Sequence, residues 1–87
     1  MNFEFDEQKN LSNKLKHGIS FIEAQQLWDD LQHVEIPARI SDEIRYMIIG
    51  RIDRSIWTGI YTVRNNQIRI ISVRKARKDE KEIYESL

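Results

Sequence analysis

Residues 43–75 read EIRYMIIGRIDRSIWTGIYTVRNNQIRIISVRK, three runs rich in β-branched and aromatic side chains separated by two short polar breaks. Such side chains suit the pleated surface of a strand. Asn65-Asn66 is a two-residue break whose side chains tolerate the positive φ of a type I′ hairpin, and Asp53-Arg54-Ser55 is a turn of hairpin length. Strands are expected over Glu43–Ile52, Ile56–Arg64 and Gln67–Lys75. Connections this short join antiparallel neighbours, so the three form a meander. The first run carries apolar residues on both faces, Ile44, Tyr46 and Ile48 against Met47 and Ile49. That pattern predicts a sheet covered on both sides for part of its length.

Upstream, Phe3-Glu4-Phe5 alternates as a short strand does. Asp6 is a good helix N-cap, Glu7 follows in the first turn, and no breaker interrupts the chain until His17-Gly18. Leu11 and Leu15 would give this helix a narrow apolar stripe. A second helix opens at Ser20 with a capping box to Glu23. It carries Phe21, Ala24, Leu27, Trp28 and Leu31 on its inner face and closes at Asp29-Asp30. His33 to Ile36 fits a brief strand stopped by Pro37, with a loop from Pro37 to Asp42. Downstream, Ala76 to Leu87 fits a closing helix with Ala76, Glu80, Ile83, Tyr84 and Leu87 near one face. Helices, then a meander, then a helix argue for an α+β fold in a single domain spanning residues 1–87.

The chain has no cysteine, which removes disulfides, cysteine-based zinc sites and thiol catalysis and is compatible with a reducing cytoplasm. No apolar stretch approaches the roughly 18 residues of a membrane span, and the start MNFEFDEQKN is unlike a secretory signal. Nothing has metal-ligand spacing, and His33 has no partner at such a spacing. Fourteen basic and fourteen acidic residues cancel overall, but unevenly. Residues 1–43 hold four basic against nine acidic side chains, and residues 44–87 hold ten against five. Between Arg51 and Lys78, eight cations (Arg51, Arg54, Arg64, Arg69, Arg74, Lys75, Arg77 and Lys78) face the single acid Asp53. A local positive field of that kind attracts phosphates even on a neutral protein, although exposed charge is also the default state of a strand's polar positions.

Several segments match a family pattern in order and spacing. They are the aromatic-x-aromatic-Asp opening at residues 3–6, the Lys-His-Gly turn at 16–18 followed by Phe21 and Glu23-Ala24, and the Ile-Gly-Arg strand at 49–51. The Tyr-Thr hairpin at 61–62, the Ile-Arg-Ile-Ile-Ser-x-Arg strand at 68–74, Ala76-Arg77 and a closing acidic helix complete the set. On these residues the chain resembles the BrnT family of bacterial type II toxins. The resemblance implies a RelE-like domain, an RNA-cleaving activity that arrests growth, and neutralisation by a BrnA-like ribbon-helix-helix antitoxin through which alone the pair would meet operator DNA. It implies no cofactor. Phe5 stands where tryptophan is usual, and Ile44 replaces an arginine that often follows the glutamate there, with Arg45 next to it.

RNA cleavage by 2′-hydroxyl attack without a metal needs a base, a cation for the phosphorane charge and an acid for the leaving oxygen. Lys16 and His17, at a helix C-terminus beside a glycine, are candidates for this chemistry, Lys16 also matching the motif lysine. Glu43 is a candidate base. Arg51, Arg64, Arg74 and Arg77 are the phosphate candidates, with Arg51 and Arg74 foremost because their strands run in the same direction to the same end of the sheet. By simple alternation Ile68, Ile70, Ser72 and Arg74 share one face, while Arg69 lies opposite with Ile71 and Val73. Tyr46, Tyr61 and Trp57 are aromatics able to stack on bases or to pack. The alternative to a nuclease is a non-catalytic module that binds a protein or nucleic acid, as an inactive toxin or an operon corepressor.

Overall fold

Asn65 and Asn66 both take positive φ, 52° and 63°, and close the hairpin that the rest of the sheet is built on. The computed structural model describes residues 1–40 and 42–86. Its elements are β1 (Phe3–Glu4), α1 (Glu7–His17), α2 (Phe21–Ala24) running into a 3₁₀ turn (Gln25–Asp29), β2 (Val34–Ile40), β3 (Ile44–Ile52), β4 (Ser55–Arg64), β5 (Gln67–Lys75) and α3 (Lys78–Glu85). The fold is α+β, as expected. The meander β3-β4-β5 forms with the anticipated boundaries to within a residue, and Asp53, at φ 54°, supplies the second left-handed turn position.

The sheet is larger than the meander. Its order is β1-β5-β4-β3-β2, with β1 parallel to β5 and all other pairs antiparallel. Residues 37–40, expected as loop, continue β2 against β3, with a register shift between Pro37 and Arg39. Pro37 is tolerated because β2 is an edge strand, where a missing N–H costs no ladder bond on its outer side.

α1, α2 and the 3₁₀ turn cover one face of the sheet. Ile19, Phe21, Ala24 and Leu27 pack there on Ile48, Ile52, Tyr61, Ile70 and Val73. α3 covers part of the opposite face, where Ile49, Ile56, Ala76 and Tyr84 make a smaller core. The local signals at the helix ends hold: Asp6 accepts from the amides of Gln8 and Lys9, Gly18 caps α1 at φ 78°, and Ser20 and Glu23 form the capping box. The expected apolar stripe of α1 does not. Leu11 and Leu15 are 58% and 89% exposed, and the face turned inward carries Asn10 and Asn13. Leu31, expected inside, is fully exposed because the 3₁₀ turn ends at Asp29. α3 begins at Lys78 rather than Ala76; Ile83 is half-exposed, and Leu87 lies outside the described residues.

The alternation expected for β5 fails at one residue. Consecutive β4 residues Ile60 and Tyr61 face Ser72 and Ile70, so Ile71 is an extra residue, a β-bulge. The bulge returns Val73 to the helix-covered face with Ile70, and sends Ser72 and Arg74 to the α3 face with Arg69. Arg69 and Arg74 therefore share a face. What holds the bulged strand is Asn13, whose side-chain amide donates to Val73 O at 2.9 Å and accepts from Val73 N at 3.1 Å, as a neighbouring strand's peptide would.

Gly50 marks where the 3₁₀ turn crosses β3. A Cβ there would meet Leu27 Cδ2 at 3.1 Å and Leu27 O at 3.3 Å. Gly50→Ala is expected to destabilise the protein by about 1–3 kcal/mol through overpacking, read as a lowered melting temperature.

Candidate phosphate-binding cleft

The cations of this protein divide by what they touch. Lys14 pairs with Glu23 at 2.8 Å, Arg64 with Glu43 at 3.0 Å, Arg69 with Glu4 at 3.7 Å and Arg74 with Glu80 at 2.7 Å. Arg51, Arg54, Lys75 and Lys81 make no ion pair among the described residues, and these four line one half-open cleft of about 290 Å³ with Ser55, Ile56 and Glu85. Four cations against one carboxylate concentrate positive potential where the cleft wall limits screening.

Each wall has a local cause. Arg51 is the penultimate residue of β3, and its backbone N–H donates to Asp30 Oδ2 at 2.8 Å. The same oxygen accepts from the Tyr84 hydroxyl at 2.7 Å, so one carboxylate ties the end of β3 to α3. Burial pushes the Asp30 carboxyl up, but the hydrogen bonds from Tyr84, Arg51 and Gln32 outweigh it and leave it below its ordinary value. The Arg51 guanidinium lies 5.8 Å from the Tyr84 ring centroid. Arg54 follows the left-handed Asp53 in the β3-β4 turn. Lys75 ends β5, with its ammonium 5.7 Å from the ring of Trp57. Lys81 and Glu85 lie one helical turn apart on α3.

Of the seven sequence candidates, only Arg51 lines the cleft. Lys16 and His17 occupy the last turn of α1, Lys16 exposed and His17 half-buried. His17 lies one turn beyond Asn13 in α1 and does not line the cleft. The Arg74 guanidinium grips Glu80 in two parallel bonds of 2.7 and 2.8 Å. Glu80 is 4% exposed and also accepts from Thr58 Oγ1 and the Arg77 amide. The bonds from Arg74 hold the Glu80 carboxyl at about 2 against the opposing effect of burial. Arg77 is the N-cap of α3, and its side chain makes no ion pair among the described residues. Glu43 and Arg64 grip each other at the opposite end, eight β3 positions from Arg51, roughly 25 Å along a strand.

Of the three candidate stacking aromatics, Tyr46 and Tyr61 stack on each other at 5.3 Å over the helix-covered face, and Trp57 packs against the same core with its ring 5.7 Å from the Lys75 ammonium. The His33 ring is hydrogen-bonded at both nitrogens. Its Nε2 lies 3.2 Å from Glu35, which also accepts from the buried Tyr61 hydroxyl, and its Nδ1 lies 2.8 Å from the carbonyl of Asp30. Burial raises the Tyr61 hydroxyl above its ordinary value, and the Glu35 carboxylate raises it further. These bonds tie β2 to β4 and to the segment after the 3₁₀ turn. The sequence signal that reached the cleft was the basic excess of residues 51–78, which includes Arg54 and Lys75. Lys81 and Glu85 lay outside that signal.

Among the described residues no three His, Cys, Asp or Glu side chains are grouped to hold a metal ion, and no helix is long and apolar enough to cross a membrane. A comparison with curated proteins gives no significant match. A family model described as "Ribonuclease toxin, BrnT, of type II toxin-antitoxin system" matches residues 5–80 of the 87. The match spans the helical layer, strands β2 to β5 and the first turn of α3, and with it the chain belongs to the BrnT family of ribonuclease toxins.

Proposed function

We propose that this protein is a metal-independent endoribonuclease that acts in the cytoplasm, seats the scissile phosphate of RNA in the cleft of Arg51, Arg54, Lys75 and Lys81, and is silenced by a BrnA-like ribbon-helix-helix antitoxin. The carrying observation is the convergence of four unpaired cations on one cleft while Lys14, Arg64, Arg69 and Arg74 are each neutralised by a carboxylate. Cations gathered around the scissile phosphate stabilise the dianionic phosphorane, which is where electrostatic catalysis gains most. Trp57, whose ring lies 5.7 Å from the Lys75 ammonium, is available to stack on a neighbouring base, and His17 is the histidine of the family motif. Arg74 and Arg77 support the reading indirectly, by docking α3 so that Lys81 faces the cleft. Glu43 and Arg64 serve the far end of the sheet, and operator DNA is met only through the antitoxin.

The test is cleavage of RNA by the purified, antitoxin-free protein in excess chelator. Arg51→Ala and Lys75→Ala are each expected to slow cleavage by about 100-fold, with melting temperature and antitoxin binding retained. Cleavage abolished by chelator would overturn metal independence. RNA binding without cleavage would identify a non-catalytic module instead, and parent-like rates for both variants would remove the cleft from the site.

A further inference from the structure

Glu85 is the one carboxylate among the residues that line the cleft. It makes no ion pair or hydrogen bond among the described residues, although four cations share the cleft with it. Its position is not left to a loose helix end. The preceding residue, Tyr84, is 7% exposed and donates to Asp30 Oδ2, the oxygen that also holds the Arg51 amide, so the α3 wall and the β3 wall are referenced to a single atom. The next residue, Ser86, closes the helix through its hydroxyl and its amide onto Ile83 O. The other carboxylates of α3 are placed elsewhere: Glu80 is consumed by Arg74, and Asp79 and Glu82 are exposed without lining the cleft. Glu85 also lies beyond residue 80, where the family match ends.

We propose that Glu85 is the general base of the cleavage reaction, an inference that rests on the cleft being the RNA site. Its carboxylate takes the proton of the ribose 2′-hydroxyl. The 2′-oxygen then forms a bond to phosphorus and the bond from phosphorus to the 5′-oxygen breaks. The leaving 5′-oxygen takes a proton from the Lys75 ammonium across the cleft, and the products end in a 2′,3′-cyclic phosphate and a 5′-hydroxyl. Glu85 then releases its proton to water and Lys75 regains one, restoring both groups. The competing view makes Glu85 an ordinary i, i+4 companion of Lys81 on a solvated helix face.

Glu85→Gln keeps the size and hydrogen-bonding reach of the side chain while removing its ability to accept a proton. The variant is expected to cleave at least 100-fold more slowly, to bind a non-cleavable 2′-deoxy RNA analogue as tightly as the parent or more so, and to lose the acidic limb of the kcat/KM pH profile. Glu85→Asp, with a shorter reach, is expected to recover part of the rate and the limb with it. A Gln variant that cuts at the parent rate with its acidic limb intact overturns the assignment. If Arg51→Ala and Lys75→Ala remain slow in that case, the cleft stands and only the base falls. If they too are parent-like, or if the parent cuts no RNA, both the base and the cleft fall.

Discussion

Asn13→Leu is expected to cost about 3 kcal/mol or more, even though leucine has the same branching and number of side-chain heavy atoms as asparagine and the site is buried. Asn13 is 7% exposed and makes three hydrogen bonds to backbone groups: to Val73 N, to Val73 O and to Ile19 O at 2.9 Å. Leucine makes none of them. The amide and carbonyl of Val73, itself 1% exposed, and the carbonyl of Ile19 then have no partner and little water, and each such group costs about 1–3 kcal/mol. Against a total stability on the order of 5–15 kcal/mol this is a large fraction. A urea titration should show the loss as a lowered midpoint. Asn13→Asp keeps an acceptor for Val73 N but loses both donors, so it should fall at or below the leucine variant. Leu15→Asn, at an 89% exposed position of the same helix, should stay within about 0.5 kcal/mol of the parent. A leucine variant as stable as the parent would show that the bulged strand needs no outside partner.

Glu80→Ala is the second large effect, about 3–5 kcal/mol, the usual cost of removing one member of a buried ion pair. The Arg74 side chain is only 24% exposed, and without Glu80 its one remaining hydrogen bond among the described residues is to the carbonyl of Lys75 at 3.3 Å. The Thr58 hydroxyl and the Arg77 amide lose their acceptor in the same step. Arg74→Met/Glu80→Leu together should cost less than Glu80→Ala alone, because neither charge is then stranded. The pair also sets a pH dependence. The folded-state pKa of Glu80 is depressed to about 2 by its bonds to Arg74, so its contribution is fully present above the unfolded carboxylate value near 4.5 and is lost as pH falls from there through about 2. Denaturant midpoints compared between neutral and acid solution should fall in the parent and fall less in the double variant.

The parts of the fold that were legible in the sequence are those set by local geometry. Asn65-Asn66 announces a turn because both positions need positive φ, and Asp6, Gly18 and the Ser20–Glu23 box announce helix ends through bonds spanning a few residues. The bulge at Ile71 was not legible, because what stabilises it is Asn13, sixty residues away in the chain. A strict period of two therefore sent Arg74 to the wrong face. α1 misled for a related reason: its inner surface is a row of backbone-bonding asparagines, which no apolar pattern reports, while Leu11 and Leu15 look outward. The site was legible to the extent that charge is. Eight cations against one acid drew attention to residues 51–78, yet which of them stay unpaired depends on where Glu43 and Glu80 land, and the cleft is completed by Lys81 and Glu85 only when α3 folds back.

The two ends of the sheet carry a consequence for association. A strand at a sheet edge normally exposes a row of amides and carbonyls that another chain can copy. Here β2 interrupts that row with Pro37 and a register shift, β1 is two residues long, and beyond β1 the Val73 amide and carbonyl of β5 are already occupied by the Asn13 side chain. Among the described residues no continuous ladder is left to template. An antitoxin is therefore expected to engage side-chain surfaces rather than extend the sheet, and copies of this chain meet one another without a seam along which they could polymerise.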